Sequence, residues 1–172
     1  MASTDFLRLL RHPLKFRLYL LGSIPSAFFS GVRVEEADET HCVVRVPYKW
    51  FSKNPFRSTY FACQSMAAEM STGILAMVHI YKRQPPVSML VTGLEARFIK
   101  KATGVTRFHC ADGLAIRSAI DRAVASGDGQ TIKAHSIGTN STGEEIAEFF
   151  ITWSFKVKGS KENRSHAEKS TI

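Results

Sequence analysis

Residues 54–73 read NPFRSTYFACQSMAAEMSTG and decide the fold of this chain, because an Asn-Pro turn there leads into an apolar segment. Between residues 58 and 79 the only acidic or strongly basic side chain is that of Glu69. A surface helix carries a charged face, whereas these apolar residues point to every side of a 3.6-residue wheel. The segment is therefore predicted to form a long and largely buried helix.

Glu69 is the unusual residue of this helix. A buried carboxylate either finds hydrogen bonds or shifts its pKa upward, since burial without partners disfavours the charged form. Both outcomes suit a catalytic base or nucleophile. The hydroxyls of Ser65 and Thr72, at the i−4 and i+3 positions, are predicted to share its face and to orient it. The alternative is a glutamate that reaches solvent through a gap in the packing.

The segments before this helix indicate two further elements. Residues 32–50, VRVEEADETHCVVRVPYKW, alternate as a β-hairpin does, with one face formed by Cys42, Val44, Val46 and Tyr48. Residues 1–21 mix Leu and Phe with basic residues at helical spacing, and Pro13 is predicted to divide them into two short helices. This N-terminal segment either packs across the domain, as its many apolar positions favour, or anchors at a membrane surface.

The segments after the helix alternate as strands do, apart from one short helix over LAIRSAIDRAVAS. The strand SMLVTGLEARF is predicted to place four side chains on one face: Leu90, Leu94, Ala96 and Phe98. Two strands near residues 131–139 and 146–157 close the domain, and the polar residues 159–172 are predicted to be disordered. This order predicts an α+β domain over residues 22–158, with a curved antiparallel sheet wrapped around the central helix. Its free edges predict a symmetric dimer.

Composition excludes several classes of protein. A chain of 172 residues suits one domain, and its three cysteines lack metal-site spacing, which predicts a reducing cytoplasm and no metal. The net charge of +8 is dispersed and carries no nucleic-acid-binding motif, although it favours a polyanionic ligand. No apolar run approaches 18 residues, so no membrane span is predicted.

The order of elements, residues 54–73 and the stretch VTGLEARFIKKATG together resemble the hotdog-fold acyl-CoA thioesterase superfamily. More closely, the chain resembles a branch of uncharacterised bacterial proteins that are described as thioesterases and that share a domain of unknown function. The stretch VTGLEARFIKKATG is similar to the strand and turn after the central helix in phenylacetyl-CoA-type thioesterases. The resemblance covers about residues 22–158. It implies a hotdog fold with an N-terminal helical extension.

The resemblance also implies a site. Asn54 stands where these enzymes carry an Asn or Gln before the helix, and Glu69 stands where they carry the reactive carboxylate. The two groups are expected to meet across a dimer interface, one from each subunit. The helix start near residues 60–63 offers N–H donors to a developing oxyanion. This chain departs from the family where His-Gly-Gly is common, because it reads Phe61, Ala62 and Cys63 there.

Other residues are assigned to substrate binding as expectations. Gln64 either lines the acyl pocket or bonds to backbone, and Cys63 is more simply a small buried residue than a nucleophile. Arg57 is either a solvated loop charge or a partner for a coenzyme A phosphate. The cluster of Arg97, Lys100 and Lys101 either faces the nucleotide end of a ligand or lies on a solvated sheet edge.

The expected function is hydrolysis of acyl-CoA or acyl-carrier-protein thioesters by a homodimer or a dimer of dimers. No cofactor is expected besides the coenzyme A of the substrate. Two alternatives remain from the sequence: a non-catalytic acyl- or lipid-binding hotdog module, and a dehydratase or hydratase. The dehydratase requires a histidine near Glu69, whereas His79 lies about 15 Å away along the helix axis.

Overall fold

The computed structural model describes residues 2–159, so the predicted polar tail lies outside the described residues except for Gly159. Five α-helices, six β-strands and a 3₁₀ turn are present in this range. In chain order they are α1 (Ala2–Arg11), α2 (Pro13–Ser23), α3 (Pro25–Ser30), β1 (Arg33–Ala37), β2 (Cys42–Val46), the 3₁₀ turn Trp50–Ser52, α4 (Phe61–Ile80), β3 (Val87–Phe98), β4 (Thr106–Cys110), α5 (Gly113–Ser126), β5 (Gln130–Thr139) and β6 (Glu145–Val157).

Helix α4 is the centre of the molecule, as its composition predicted. Twelve of its twenty residues are buried, on more than one side of the helix. It packs against β1, β2, β4, β5 and β6, so that the sheet curves around it. Burial of apolar side chains on several sides of one helix removes a large apolar area from water and stabilises this arrangement.

The strands form one antiparallel sheet in the order β1-β2-β4-β5-β6-β3. The predicted alternation of β6 is confirmed, because Phe149, Ile151, Trp153 and Phe155 are all buried against the helix side. The buried face of β2 likewise contains Cys42, Val44 and Val46. Strand β3 lies at one edge of the sheet, where its 12 residues pair with β6 alone among the described strands.

The prediction that Leu90 shares a face of β3 with Leu94, Ala96 and Phe98 is wrong. Its register against β6 shifts between Val91 and Gly93, which marks a β-bulge. Leu94, Ala96 and Phe98 are opposite Ile151, Phe149 and Ala147, and so they face the helix side. Leu90 is opposite Ser154 and 66% exposed, because the extra residue of the bulge reverses the alternation.

The N-terminal segment packs across the domain. Helices α1 and α2 are divided between Arg11 and Pro13, as predicted, and α1 contacts α4. Phe6 of α1 is buried, with its ring centroid 5.3 Å from that of Tyr81 just after α4. Leu20 of α2 is also buried, whereas Leu14 is exposed. None of the described helices is long and apolar enough to cross a bilayer.

Candidate functional site

A pocket of about 800 Å³ lies at the N-terminal end of α4, and we name it the Asn54 pocket. The loop before α4, the first turn of α4 and the segment after β3 together form its wall. Its lining residues are Lys53, Asn54, Pro55, Phe56, Ser58, Thr59, Tyr60, Phe61, Gln64, Phe98, Ile99, Lys100, Lys101 and Ala102. A concave site of this size can hold a large organic ligand.

Asn54 is fixed by its own loop. Its side-chain Oδ1 accepts hydrogen bonds from the backbone N–H of Phe56 at 3.0 Å and of Ser58 at 3.2 Å, and from the Ser58 hydroxyl at 3.2 Å. An asparagine in this position closes a turn with its side chain. The amide Nδ2 makes no hydrogen bond with the described residues, so its two donors remain available beside the pocket.

The start of α4 supplies two more donors. Tyr60 caps the helix without a side-chain hydrogen bond, and its carbonyl accepts from the N–H groups of Cys63 and Gln64 at 2.9 and 3.3 Å. The N–H groups of Phe61 and Ala62 have no partner among the described residues, as expected for the first turn of a helix. The Phe61 side chain is 55% exposed and lines the pocket, so an aromatic ring stands beside these N–H groups.

Gln64 lines the Asn54 pocket and also bonds to backbone, which was one of its two expected roles. Its Nε2 donates to the carbonyl of Thr59 at 3.2 Å, which fixes the orientation of the amide. Its Oε1 is buried without a partner in the described structure, and so is the Oγ1 of Thr59. Sequence reasoning missed Thr59, because its burial depends on the bond from its N–H to the Ala102 carbonyl at 2.7 Å, a contact distant in sequence.

The predicted basic cluster divides between two places. Lys100 and Lys101 line the Asn54 pocket, and Lys100 forms an ion pair with Glu144. Arg97 does not line the pocket, because it extends from the other face of β3 toward Glu148, with 3.6 Å between Nη1 and Oε2. Sequence reasoning also missed Lys53, which lines the Asn54 pocket from the loop before α4.

Arg57 lines a neighbouring pocket of about 540 Å³ rather than the Asn54 pocket itself. The two pockets share Lys53, Asn54 and Pro55, so the Arg57 pocket is a continuation of the same groove. Arg57 has a φ of 58°, in the left-handed region, which turns the loop back toward α4. Its guanidinium has no partner among the described residues.

Glu69 lies in a second and smaller cavity, of about 160 Å³, which we name the Glu69 cavity. Apart from Glu69, its wall is apolar or aromatic and consists of Phe6, Phe16, Tyr19, Leu20, Ile24, Met70, Gly73, Ile74, Met77 and Met89. Burial raises the pKa of the Glu69 carboxyl above its ordinary value. Gly73, one turn further along, leaves room for this carboxyl, because a Cβ there would be 3.3 Å from Oε1 of Glu69.

The hydroxyls expected to orient Glu69 bond elsewhere. Ser65 donates to the carbonyl of Phe61 at 3.0 Å, and Thr72 donates to the backbone carbonyl of Glu69 at 2.9 Å. Thr72 also accepts from the indole N–H of Trp153 at 2.8 Å. The prediction that Ser65 and Thr72 orient the carboxylate is therefore wrong, because α4 offers each hydroxyl a nearer acceptor.

Cys63 is also outside both cavities. It is 4% exposed, and its Sγ lies 3.6 Å from the Ser30 hydroxyl on α3. The simpler of the two sequence interpretations, a small buried residue, is the one that the structure supports. Ala62 is half-buried at the helix start and does not line the Asn54 pocket.

One chain does not bring the Asn54 pocket and the Glu69 cavity together. The two share no lining residue. Phe61 and Glu69 are eight residues apart on α4, which corresponds to about 12 Å along the helix axis. The free N–H groups at the helix start and the carboxyl of Glu69 therefore do not reach the same carbonyl carbon within one chain.

The described histidines lie outside the two cavities. Between residues 2 and 159, no histidine lines either cavity. His79 instead bonds the carbonyl of Glu39 at 3.1 Å, so the dehydratase alternative has no local histidine to depend on. The same range contains no cluster of three or more His, Cys, Asp or Glu side chains that could hold a metal ion.

Comparison with solved structures shows the hotdog fold that the sequence resemblance implied. A protein of unknown function from Pseudomonas aeruginosa, named a probable thioesterase, superposes with a TM-score of 0.71 at 22% identity, over 84% of this chain and 95% of its own. A protein of unknown function from Chlorobaculum tepidum gives 0.70 at 15% identity, over 84% and 93%. A thioesterase from Haemophilus influenzae gives 0.60 at 10% identity, over 87% and 94%.

At these identities the likeness concerns the fold. A search among curated proteins gave no significant match. The family model described as a domain of unknown function (DUF4442) matches residues 22–155, which is most of the chain. The range begins within α2 and ends near the end of β6, so it contains the whole sheet and the central helix. The chain therefore belongs to the DUF4442 family, within the hotdog-fold proteins.

Proposed function

We propose that this protein hydrolyses the thioester bond of acyl-CoA or acyl-carrier-protein substrates, with the thioester carbonyl bound at the start of α4. One observation carries the proposal: the Asn54 pocket combines unpartnered N–H donors with a basic rim. The donors that line the pocket are the amide Nδ2 of Asn54 and the backbone N–H of Phe61, and the unpartnered N–H of Ala62 follows in the same helix turn. The rim contains Lys53 and Lys101, which have no anionic partner among the described residues.

These groups match the demands of thioester hydrolysis. As a nucleophile attacks the carbonyl carbon, negative charge develops on the carbonyl oxygen, and preorganised donors stabilise it. The positive end of the α4 dipole acts in the same direction. The lysines and the nearby Arg57 suit the phosphates of coenzyme A or of a carrier-bound phosphopantetheine. Coenzyme A enters this proposal as part of the substrate, with no further cofactor.

Glu69 completes the reaction as the base that activates water or as the nucleophile. A carboxyl whose pKa burial has raised is a stronger base than one in water, although a smaller fraction of it is ionised at a given pH. Since Glu69 lies about 12 Å from the helix start of its own chain, we propose that a second copy supplies it. The working unit is then a homodimer, in which each site takes Asn54 from one subunit and Glu69 from the other.

The edge strand β3 is the surface that we propose for this dimer. It is 12 residues long, and its backbone donors and acceptors face outward on the side away from β6. Leu94 and Phe98 on this strand are about half exposed. Long exposed edges with apolar side chains favour pairing with another strand. We also propose a cytoplasmic location, because all three cysteines are buried free thiols, which suits a reducing compartment.

Release of free thiol from a panel of acyl-CoA esters tests the activity. We expect turnover by the wild-type protein, and a loss of about 100-fold or more in kcat for Glu69→Gln. The matched control is Glu95→Gln, which changes an exposed carboxylate on β3 that bonds Lys133 at 2.6 Å. Equal rates for wild type, Glu69→Gln and Asn54→Ala would contradict the assignment.

A second function, acyl binding without turnover, is favoured by a specific observation. The Phe61 ring and the Cβ of Ala62 narrow the approach to the helix N–H groups, where glycines leave the backbone open in many relatives. A non-catalytic module that retains the pocket would be stabilised by acyl-CoA, because a ligand that binds only the folded state raises the midpoint of unfolding. Stabilisation without any thiol release, in wild type and in Glu69→Gln alike, would select this function over hydrolysis.

A further inference from the structure

We infer that the Glu69 cavity is the subsite for the acyl group, and that it selects a short acyl chain or a single ring. This inference rests on the proposed function, in which Glu69 acts on the thioester carbonyl. The carbonyl carbon carries the acyl group directly, so whatever lies beside the Glu69 carboxyl must accept the first atoms of that group. The surroundings of Glu69 therefore determine which acyl groups enter.

The chemistry of the wall suits an apolar occupant. Phe6, Phe16 and Leu20 are buried and present hydrocarbon surface to the cavity, as do Met70 and Ile74 of α4. The Glu69 carboxyl accepts no hydrogen bond from the described residues, and burial raises its pKa. A cavity with one carboxyl and no basic side chain disfavours phosphates. An apolar cavity also binds water poorly, which leaves it available to hydrocarbon.

The volume limits the occupant. The Glu69 cavity measures about 160 Å³. An engineered apolar cavity of about 150 Å³ in another protein holds one benzene molecule. The Glu69 cavity is therefore suited to one six-membered ring or to a chain of about four to six carbons, by the same comparison. A long fatty acyl chain does not fit unless the helices around the cavity move apart.

The position of the cavity gives the N-terminal segment a role. Phe6 lies on α1, Phe16, Tyr19 and Leu20 lie on α2, and Ile24 follows α2, so these residues form about half of the wall. The opposite wall belongs to α4 and to Met89 on the edge strand β3. Helices α1 and α2 thus close a space beside Glu69 that the sheet and α4 leave open. The N-terminal segment, in this inference, sets the acyl selectivity of the site.

Met89 also connects the cavity to the proposed dimer. It is half-buried on β3, the strand through which we propose that the second copy pairs. An acyl group in the Glu69 cavity then has its carbonyl end at the interface. The Asn54 pocket of the second copy is positioned, in the proposed dimer, to receive the thiol portion of the same substrate.

A probe without a thioester tests the cavity independently of catalysis. Fluorobenzene binding to the protein of residues 1–172 can be followed by ¹⁹F NMR titration. We expect saturable binding to wild type and a loss of about tenfold or more in affinity for Met77→Phe, because the larger side chain fills the cavity from α4. The matched control is Met66→Phe, which changes another half-buried methionine of α4 that does not line the cavity. Equal binding by Met77→Phe and wild type would overturn the inference.

Kinetics provide the second measurement, with straight-chain and aryl acyl-CoA esters compared by kcat/KM. We expect the optimum near about four to six carbons or a single ring, and a shift of the optimum toward longer chains in Met77→Ala, which enlarges the cavity. Hydrolysis of every ester at similar rates, with the same profile in Met77→Ala, would overturn the subsite while leaving the hydrolase intact. If Met77→Phe abolishes fluorobenzene binding but no ester is hydrolysed by the wild-type protein, the result would support the acyl subsite and contradict the proposed hydrolase activity.

Discussion

The Asn54 pocket and the Glu69 cavity lie on the same helix, yet they have opposite chemistry. The Asn54 pocket is about five times larger, carries lysines at its rim and lies at the first turn of α4, where two backbone N–H groups are unpartnered in the described structure. The Glu69 cavity is small and apolar around its single carboxyl. The difference follows from helix geometry, because the first turn leaves backbone donors unpaired whereas the middle of a helix satisfies its own.

Glu69 and Asn54 differ in the hydrogen-bond donors that the backbone around them supplies. In the middle of α4 the backbone offers Glu69 no donor, and the neighbouring hydroxyls bond helix carbonyls instead. Burial without hydrogen bonds raises the pKa of the carboxyl. Asn54 instead lies in a loop whose N–H groups converge on its side-chain oxygen.

The largest effect is expected when the donors of Asn54 are removed and its acceptor is kept. Asn54→Asp retains the oxygen that holds the loop but loses the Nδ2 donors, so we expect kcat for thioester hydrolysis to fall by about 100-fold. The midpoint of urea unfolding should stay close to that of wild type.

Asn54→Ala is the companion variant. It loses the three hydrogen bonds to Oδ1 as well, so we expect the same loss of kcat together with a fall of about 1 to 2 kcal/mol in the free energy of unfolding. Full activity in Asn54→Asp would show that the amide donors of Asn54 do not act on the substrate. Hydrogen-bond donation by the Asn54 side chain would then not distinguish the Asn54 pocket from the Glu69 cavity.

A change of stability with pH is the next largest effect, and it concerns the Glu69 cavity. Glu69→Met removes a buried carboxyl without partners, and we expect the free energy of unfolding at pH 7.5 to rise by about 1 kcal/mol. The carboxyl has a higher pKa in the folded protein than its ordinary value of 4.5. The upward shift of this pKa therefore adds to the free energy of unfolding of the wild-type protein. This contribution is complete below pH 4.5 and is lost as the pH rises through the pKa of the folded state.

Urea unfolding of wild type and Glu69→Met across this pH range measures the difference. We expect the advantage of Glu69→Met to shrink steadily as the pH falls toward 4.5. Glu95→Gln, which changes an exposed carboxylate of β3, is measured in parallel as the control. A constant difference between wild type and Glu69→Met at all pH values would mean that burial does not control the ionisation of this carboxyl.

A smaller effect is expected at the rim of the Asn54 pocket. Lys101→Gln should raise KM for acyl-CoA by about three- to tenfold at low ionic strength, and by less at high salt, because a partly exposed charge is screened. Arg97→Gln is the matched control, since Arg97 is 78% exposed and directed toward Glu148. Equal effects of the two variants would indicate a general attraction by net charge rather than a bound phosphate at the pocket.

The smallest effect is expected from thiol reagents. Cys63 lies at the start of α4, between the two regions, and is buried against Ser30, while Cys42 and Cys110 are buried in the sheet. Burial raises the pKa of Cys110 to about 12 and raises that of Cys42 as well. We expect mass spectrometry to find no alkylated cysteine after brief treatment of the native protein with iodoacetamide at neutral pH. Rapid labelling of Cys63 would show that the helix start is more open than the structure describes.

Several parts of the fold were predictable from short-range pattern. The apolar residues on every side of α4 predicted its burial, and the alternation in β6 predicted its buried face, because these periodicities follow from local backbone geometry. Proline at residue 13 marked the division of α1 from α2 for the same reason. The face of Leu90 was predicted wrongly, since a β-bulge between Val91 and Gly93 reverses the alternation, and the glycine inside the strand was the signal that could have indicated it.

The candidate site was predictable only in part. Asn54, Phe61, Gln64, Lys100 and Lys101, which were each assigned to the site from the sequence, line one pocket. Thr59 and Lys53 were missed, because nothing in their local sequence distinguishes them from ordinary loop residues. The cavity beside Glu69 was not foreseen either. It exists because α1 and α2 fold back onto α4, and contacts between such distant segments leave no periodic pattern in the chain.

By itself the sequence determined that a long apolar helix with one carboxyl lies inside an antiparallel sheet, because burial of apolar residues is encoded by their spacing. Tertiary structure alone decided what surrounds that carboxyl. Helices α1 and α2 close an apolar wall over Glu69, while the loop before α4 builds a separate basic pocket around Asn54. The pKa of a carboxyl depends on the groups within a few ångströms of it, and here those groups come from segments far apart in the chain.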